Sequence, residues 1–346
     1  MLFCNILIDH KKGAIQILTH VFLLFFLVAC ASCGGGGSAV SLHNDEINAE
    51  LKTAIQSLTR KITESIKNND SSVLLDLFTD EVRNQAGIDV NLKNAFQQLN
   101  HLFKDATFKT DDEYSITVNS WGKFHPVISS ETQEPFSLTL DGKGNKVYVS
   151  LLSAKNDFKD FMLVLVFINI KDEWRVSSFN FGVYKIAGKS AVNWANEARQ
   201  LFDQGYFVPA ILRLQVLQEC LRPAPFIQYA KEGEILALRN KIQGDIVQKY
   251  KFPVRITNVV TVPEIYFVAP QFVRNELWPL VKYKTSLSLS DTVALKKEVD
   301  AMTPELELLF PGITKESKGI AYQAFSEAPA DPKKQYQYYG LVVDLN

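Results

Sequence analysis

Ile47, Leu51, Ala54, Ile55, Leu58, Ile62 and Ile66 recur at three- and four-residue spacing. That spacing places them on one face of an amphipathic helix. Asn44-Asp45-Glu46 stands before it as a cap, and Lys67-Asn68-Asn69-Asp70 closes it. Ser71-Ser72 opens a short helix over Val73–Phe78, and Leu92, Ala95, Phe96, Leu99, Leu102 and Phe103 predict a third over 90–103. The period then falls to two. Tyr114, Ile116 and Val118 alternate with polar residues, as do Phe136, Leu138 and Leu140, then Val147, Val149 and Leu151. Asp141-Gly142-Lys143-Gly144-Asn145 has the composition of a turn between strands. Phe161–Ile170 is almost continuously apolar, which suits a strand covered on both faces, and the charged turn Lys171-Asp172-Glu173 leads into a last strand from Trp174.

Helices followed by a run of antiparallel strands define an α+β layout over about 44–187. The long apolar strand, charged turn and Trp174-Arg175-Val176…Phe179, together with the phrase IKNNDSSVLLDLFTDEV, resemble the nuclear transport factor 2-like (cystatin-like) superfamily. The resemblance implies a curved sheet wrapped around the N-terminal helices as a cone. The interior positions are then Phe96, Leu99, Phe103, Tyr114, Tyr148 and Trp174. They are apolar or aromatic, so the interior is expected to be either a packed core or a pocket for a small apolar ligand.

Residues 188–250 are helical in pattern. Trp194, Ala198, Leu201, Gly205, Phe207, Ala210, Leu214 and, one position late, Pro223 follow the order of a tetratricopeptide repeat, which this stretch resembles. Small residues at 198 and 210 let two helices approach closely, Gly205 makes the turn, and Pro209 suits the first turn of the second helix. A lone repeat does not bury its own apolar face. A helix over 226–248 is expected to cover it, leaving either a helical spacer or a peptide-binding groove. Residues 251–346 return to strands: Val254–Val262, Glu264–Val268, Leu277–Leu287, 319–327 and 336–345. A helix from Asp291 to about Phe310 interrupts them and is expected to split at Thr303 before Pro304. This reads as a small α+β sandwich.

The amino terminus changes the setting. Lys11 and Lys12 precede the apolar run Val21–Ala29, which is far short of the roughly 20 apolar residues of a bilayer span. A signal peptide over 1–29 is expected. Leu27-Val28-Ala29-Cys30 resembles the lipobox of bacterial lipoproteins, which implies lipidation of Cys30 and cleavage before it. Cys33 is a rival acceptor, but Cys30 stands where that motif wants Leu. With no Asp after Cys30, the resemblance further implies the outer membrane of a Gram-negative cell, facing the periplasm. Gly34–Ser38 suits a flexible coil, so residues 30–43 read as a lipidated tether.

Without its signal the chain loses Lys11, Lys12 and Asp9, and its formal net charge moves from −1 to −2. That is no electrostatic footprint for nucleic acid. Besides Cys30, only Cys33 and Cys220 remain, so no structural disulfide is expected. His43, His101 and His125 share no metal-ligand spacing, and HExxH, GxSxG, a P-loop and GxGxxG are lacking. Neither a metal nor any other cofactor is expected. Asp111-Asp112-Glu113 and Asp172-Glu173 read as charged turns rather than an acid–base pair. Tyr336, Tyr338 and Tyr339 beside Lys333-Lys334 mark either strand packing or a partner patch. The expectation is a non-catalytic, lipid-anchored envelope protein that scaffolds or binds an envelope partner. Its rivals are a carrier of an apolar ligand and an unrecognised hydrolase or isomerase.

Overall fold

The computed structural model describes residues 39–118, 123–124, 127–128, 136–141, 146–315, 317–331 and 334–345. The segment 1–29 expected to be a signal peptide, Cys30, Cys33 and His125 lie outside the described residues. The fold is α+β. It divides into two compact units: residues 39–185 with 222–230, and 186–221 with 231–345.

The first unit opens with strand β1 (Ala39–His43), a 3-10 turn (Asn44–Glu46) and helix α1 (Ala49–Lys67). The cap of α1 is Asn48, whose side-chain oxygen accepts from the Glu50 and Leu51 amides. It is not the Asn44-Asp45-Glu46 expected. Helices α2 (Ser72–Leu77), α3 (Asp80–Arg83) and α4 (Ile88–Phe103) follow. Then come β2 (Lys109–Val118), the short β3 (Lys123–Phe124), β4 (Val127–Ile128), β5 (Phe136–Leu138) and β6 (Leu140–Asp141), and the long β7 (Lys146–Asn156), β8 (Lys159–Ile170) and β9 (Glu173–Ile186). The main sheet has the order β1-β2-β7-β8-β9 and is antiparallel. In register, Tyr148 stands opposite Ser115 and Phe167, while Tyr114 stands opposite Val149. One face therefore carries Tyr148, Leu163, Leu165 and Phe167. These close a core with Ile55, Ile62, Ile66, Phe96, Leu99 and Phe103 of the helices. Residues 39–43, expected within the tether, are strand and pair with β2 along their whole length.

The second unit begins with α5 (Ala191–Asp203) and α6 (Phe207–Leu217), which pack against each other. Ser190 and Asn193 form a capping box at the start of α5. Gly205 turns between the helices at φ +82°, a left-handed conformation that glycine adopts without strain. The helix expected over 226–248 is instead strand β10 (Ile227–Tyr229) followed by α7 (Glu232–Lys249). Pro223 and Pro225 disfavour helix just before it. Ile227 and Tyr229 are buried on either side of exposed Gln228, and β10, itself part of the first unit, pairs antiparallel with β5.

β11 (Val254–Arg255), β12 (Glu264–Val273), β13 (Glu276–Lys284), helix α8 (Thr292–Leu309), β14 (Gly319–Phe325) and β15 (Tyr338–Asp344) complete the chain in the order β11-β12-β13-β14-β15. The β13–β14 pair is parallel, with α8 as its crossover. Tyr338 and Tyr339 lie in β15, half-buried. α8 runs unbroken through Pro304. At that turn the Thr303 hydroxyl bonds both the Val299 carbonyl and the Tyr322 hydroxyl, each at 2.8 Å, so β14 braces the helix where the proline lacks a donor.

Glycines mark the tightest crossings. A Cβ on Gly182 of β9 would lie 2.2 Å from the Pro223 carbonyl oxygen, so the segment leading into β10 crosses β9 where no side chain fits. Gly182→Ala is expected to lower stability by about 3 kcal/mol, the upper range for overpacking against backbone. Gly244→Ala, at an exposed site within α7 where a Cβ meets nothing, should raise it by about 0.8 kcal/mol. Shifts of the urea midpoint in opposite directions check both.

Candidate functional site

The aromatic interior of the first unit is filled. Phe103 is 0% exposed and its ring meets Phe161 at 5.1 Å, Phe181 at 4.8 Å and Phe108 at 5.9 Å between centroids. Phe161 and Phe181 stack at 5.2 Å, Phe96 meets Phe179 at 6.2 Å, and Tyr148 meets Trp174 edge-on at 6.3 Å. Of the six residues expected to line a pocket, Phe96, Leu99, Phe103 and Tyr148 are packed core, and Trp174 lies partly buried against it. Tyr114 does not join them, because strand alternation turns it to the opposite face of the sheet from Tyr148. Open or filled could not be read from apolar identity, since a lined cavity and a solid core use the same residue types.

Asp112 and Glu113 are not in a turn; both are buried in β2. A bulge makes this possible. Thr110 pairs with Leu152 and Asp112 with Leu151, so Asp111 is the extra residue. Past the bulge the two acids point to opposite faces. Asp112 Oδ1 lies 3.0 Å from His43 Nε2 and accepts from Asn44 Nδ2 at 3.3 Å. Glu113 Oε2 accepts from Gln56 Nε2 of α1 at 2.9 Å, with Lys52 Nζ at 3.9 Å. The Glu113 amide donates to Asn44 Oδ1 at 2.9 Å. The His43 ring stacks on Tyr114 at 4.6 Å. Each carboxylate is thus held by neighbours on its own face, and the two share no common space for acid–base work.

A third polar cluster lies beneath α8. Glu298 is buried and accepts from the Thr285 hydroxyl at 3.0 Å, and that hydroxyl in turn accepts from the Leu287 amide. Tyr283 and Tyr322 lie beside it in the core, their rings edge-on at 6.4 Å. Burial raises the phenols of Tyr148, Tyr283 and Tyr322 well above their ordinary value, helped by the Glu113 charge at Tyr148 and the Glu298 charge at Tyr283.

An open site lies wholly in the second unit. A cleft of about 510 Å³ is bounded by α5 and the turn before it, α6, the β12–β13 turn and the start of β14. Its lining includes Lys189, Trp194, Glu197, Arg213, Glu276 and Lys318. Lys189 pairs with Glu197 at 2.5 Å and lies over the Trp194 ring at 4.6 Å from its centroid. Lys318 pairs with Glu276 at 2.5 Å. A smaller hollow of about 290 Å³ shares Glu276 and Lys318 and adds Arg274, Trp278 and Asp344. Trp194 is buried, and its indole N–H has no acceptor among the described residues. None of these residues except Trp194 stood out in the sequence, because the wall is assembled from segments about 40 to 60 residues apart.

Fold and site together define a two-unit α+β protein with a filled aromatic core in one unit and a mixed-charge cleft in the other. Comparison with protein-family models, curated proteins and solved structures returns no match. Among the described residues no group of three or more His, Cys, Asp or Glu could hold a metal ion, and no helix is long and apolar enough to cross a membrane.

Two outcomes test this description. Phe103→Ala should cost about 3–5 kcal/mol, the value for emptying a packed aromatic site; a loss under 1 kcal/mol in denaturant titration would indicate an open interior instead. Unfolded tyrosine ionises near pH 10. The stability carried by the three protonated phenols is complete below that pH and is lost as pH rises above it, because the unfolded chain releases these protons first. In an alkaline ultraviolet titration, three tyrosines should ionise only together with the loss of near-ultraviolet dichroism.

Proposed function

We propose that this chain is a lipid-anchored cell-envelope protein that holds a protein partner and does not carry out a reaction. The cleft of the second unit carries the reading. Its volume lies within the common range for binding sites. Its walls present charges of both signs on Lys189, Glu197, Glu276 and Lys318 rather than a continuous apolar surface. Mixed charge suits a polypeptide segment better than a small apolar ligand. The ring-on-ring packing of Phe96, Phe103, Phe161 and Phe181 speaks against the carrier reading.

The order of α5 and α6, with Ala198 and Ala210 buried and Gly205 at the turn, supports a tetratricopeptide-like unit as one wall of this site. The sheet and helices of the first unit support a nuclear transport factor 2-like domain as its companion. The membrane link rests on Leu27-Val28-Ala29-Cys30 and the glycine run after it, and we place the protein at the outer membrane facing the periplasm.

A photo-crosslinking side chain at Gln200 or Asn275, both exposed in the cleft lining, should capture the same discrete protein in intact cells. The same group at Lys93, exposed on α4, should not. No capture from either cleft position, or equal capture from all three, would defeat the reading. Cys30→Ser tests the anchor separately: the protein should lose its acyl mass and leave the detergent-rich phase.

A further inference from the structure

We propose that β1 is a detachable strap, docked on the edge of the main sheet and releasable while the rest of the first unit stays folded. Its five residues pair only with β2, and among the described residues β1 is the edge of that sheet. It contributes almost nothing to the core. Val40 is 58% exposed and Leu42 40%, and no residue from 40 to 43 is buried. The strands beyond it behave differently: β7 and β8 carry long runs of buried residues. An edge strand with solvent-exposed ladder bonds and little buried area belongs to the low-stability end of a structure.

What holds β1 is concentrated at its last residue. His43 stacks on Tyr114 and bonds Asp112. The next residue belongs to the body of the unit. Asn44 donates to Asp112, accepts from the Glu113 amide, and its carbonyl accepts from Lys52 Nζ at 3.3 Å. Asn44 also sits at φ +43°, where the chain changes direction. The division between strap and body therefore falls between His43 and Asn44. Breaking the His43 contacts frees the strand, while Asn44 still donates to Asp112 and Gln56 still donates to Glu113.

The consequence concerns reach, and this step rests on Cys30 being the anchor. Ala39 lies nine positions after Cys30, and an extended chain spans about 3.3 Å per residue. With β1 docked, the folded part stands at most about 30 Å from the lipid attachment point. With β1 released, five more residues join the tether and the limit becomes about 46 Å. The strap thus gives the tether two lengths, a short one with the strand paired and a long one with the β2 edge bared.

Hydrogen exchange read by mass spectrometry tests release without reference to the anchor. In the wild-type protein a peptide covering 39–43 should exchange at least tenfold faster than peptides from β7 and β8. His43→Ala should accelerate it at least tenfold again and leave β7 and β8 unchanged. His43→Phe, which keeps the ring on Tyr114, should fall between the two. The proposal fails if 39–43 exchanges in one step with β7 and β8 in the wild type, or if His43→Ala accelerates all three alike. The reach is read separately, from the distance between a label on Lys93 and the membrane surface in the acylated protein. A longer distance in His43→Ala supports two tether lengths. An unchanged distance with confirmed release overturns the reach but not the strap, and loss of membrane association in Cys30→Ser reports on the anchor alone.

Discussion

Two consecutive carboxylates, Asp112 and Glu113, are buried in one strand, and much of the first unit is arranged around keeping both satisfied. An isolated buried charge is costly, and removing one partner of a buried pair costs far more than the pair contributes. Past the bulge at Asp111, strand alternation points the two acids to opposite faces, so each needs its own partners. Gln56 and Lys52 reach Glu113 from α1. His43 and Asn44 reach Asp112 from the edge. One irregularity in β2 therefore ties the first helix, the first strand and the turn between them to the sheet. It also decides which contacts are local to β1 and which belong to the body.

The two units divide labour through the kind of surface each buries. In the first, Phe96, Phe103, Phe161, Phe179 and Phe181 fill the space between helices and sheet with mutually oriented rings, a dense arrangement that leaves no room for a ligand. In the second, apolar packing gathers on α8 and the inner face of its sheet, with Val299, Met302, Leu306, Tyr283 and Tyr322 among the buried residues. Where α5 and the end of that sheet line the cleft, each wall pairs its own charges, Lys189 with Glu197 and Lys318 with Glu276.

Local order was legible in the chain wherever one face was buried by regular elements. The i, i+3, i+4 rows of α1 and α4 and the alternation in β2, β5 and β7 reported themselves, because burial on one side imposes a period. The reading failed where the deciding partner was distant. Ile227–Tyr229 looks helical beside α7, yet it is a strand because β5, nearly 90 residues earlier, offers it an edge. Asp111-Asp112-Glu113 looks like a turn, since three acids in a row belong in water unless His43, Asn44, Gln56 and Lys52 are brought to them. Pro304 looks like a break, and α8 continues because Tyr322 reaches Thr303 from β14.

By itself the sequence determined the fold class, the positions of most helices and long strands, and the apolar character of the interior, because these follow from spacing along the chain. The resemblance of Leu27-Val28-Ala29-Cys30 to a lipobox is likewise a matter of local residue identity. Tertiary structure alone decided that the aromatic interior is filled, that Tyr114 faces away from it, that the acids of β2 are buried, and that Lys189, Trp194, Glu276 and Lys318 share one cleft. Each of these depends on which distant segments meet and on how much space they leave. Those quantities are set by the packing of the whole unit, and no window of the sequence contains them.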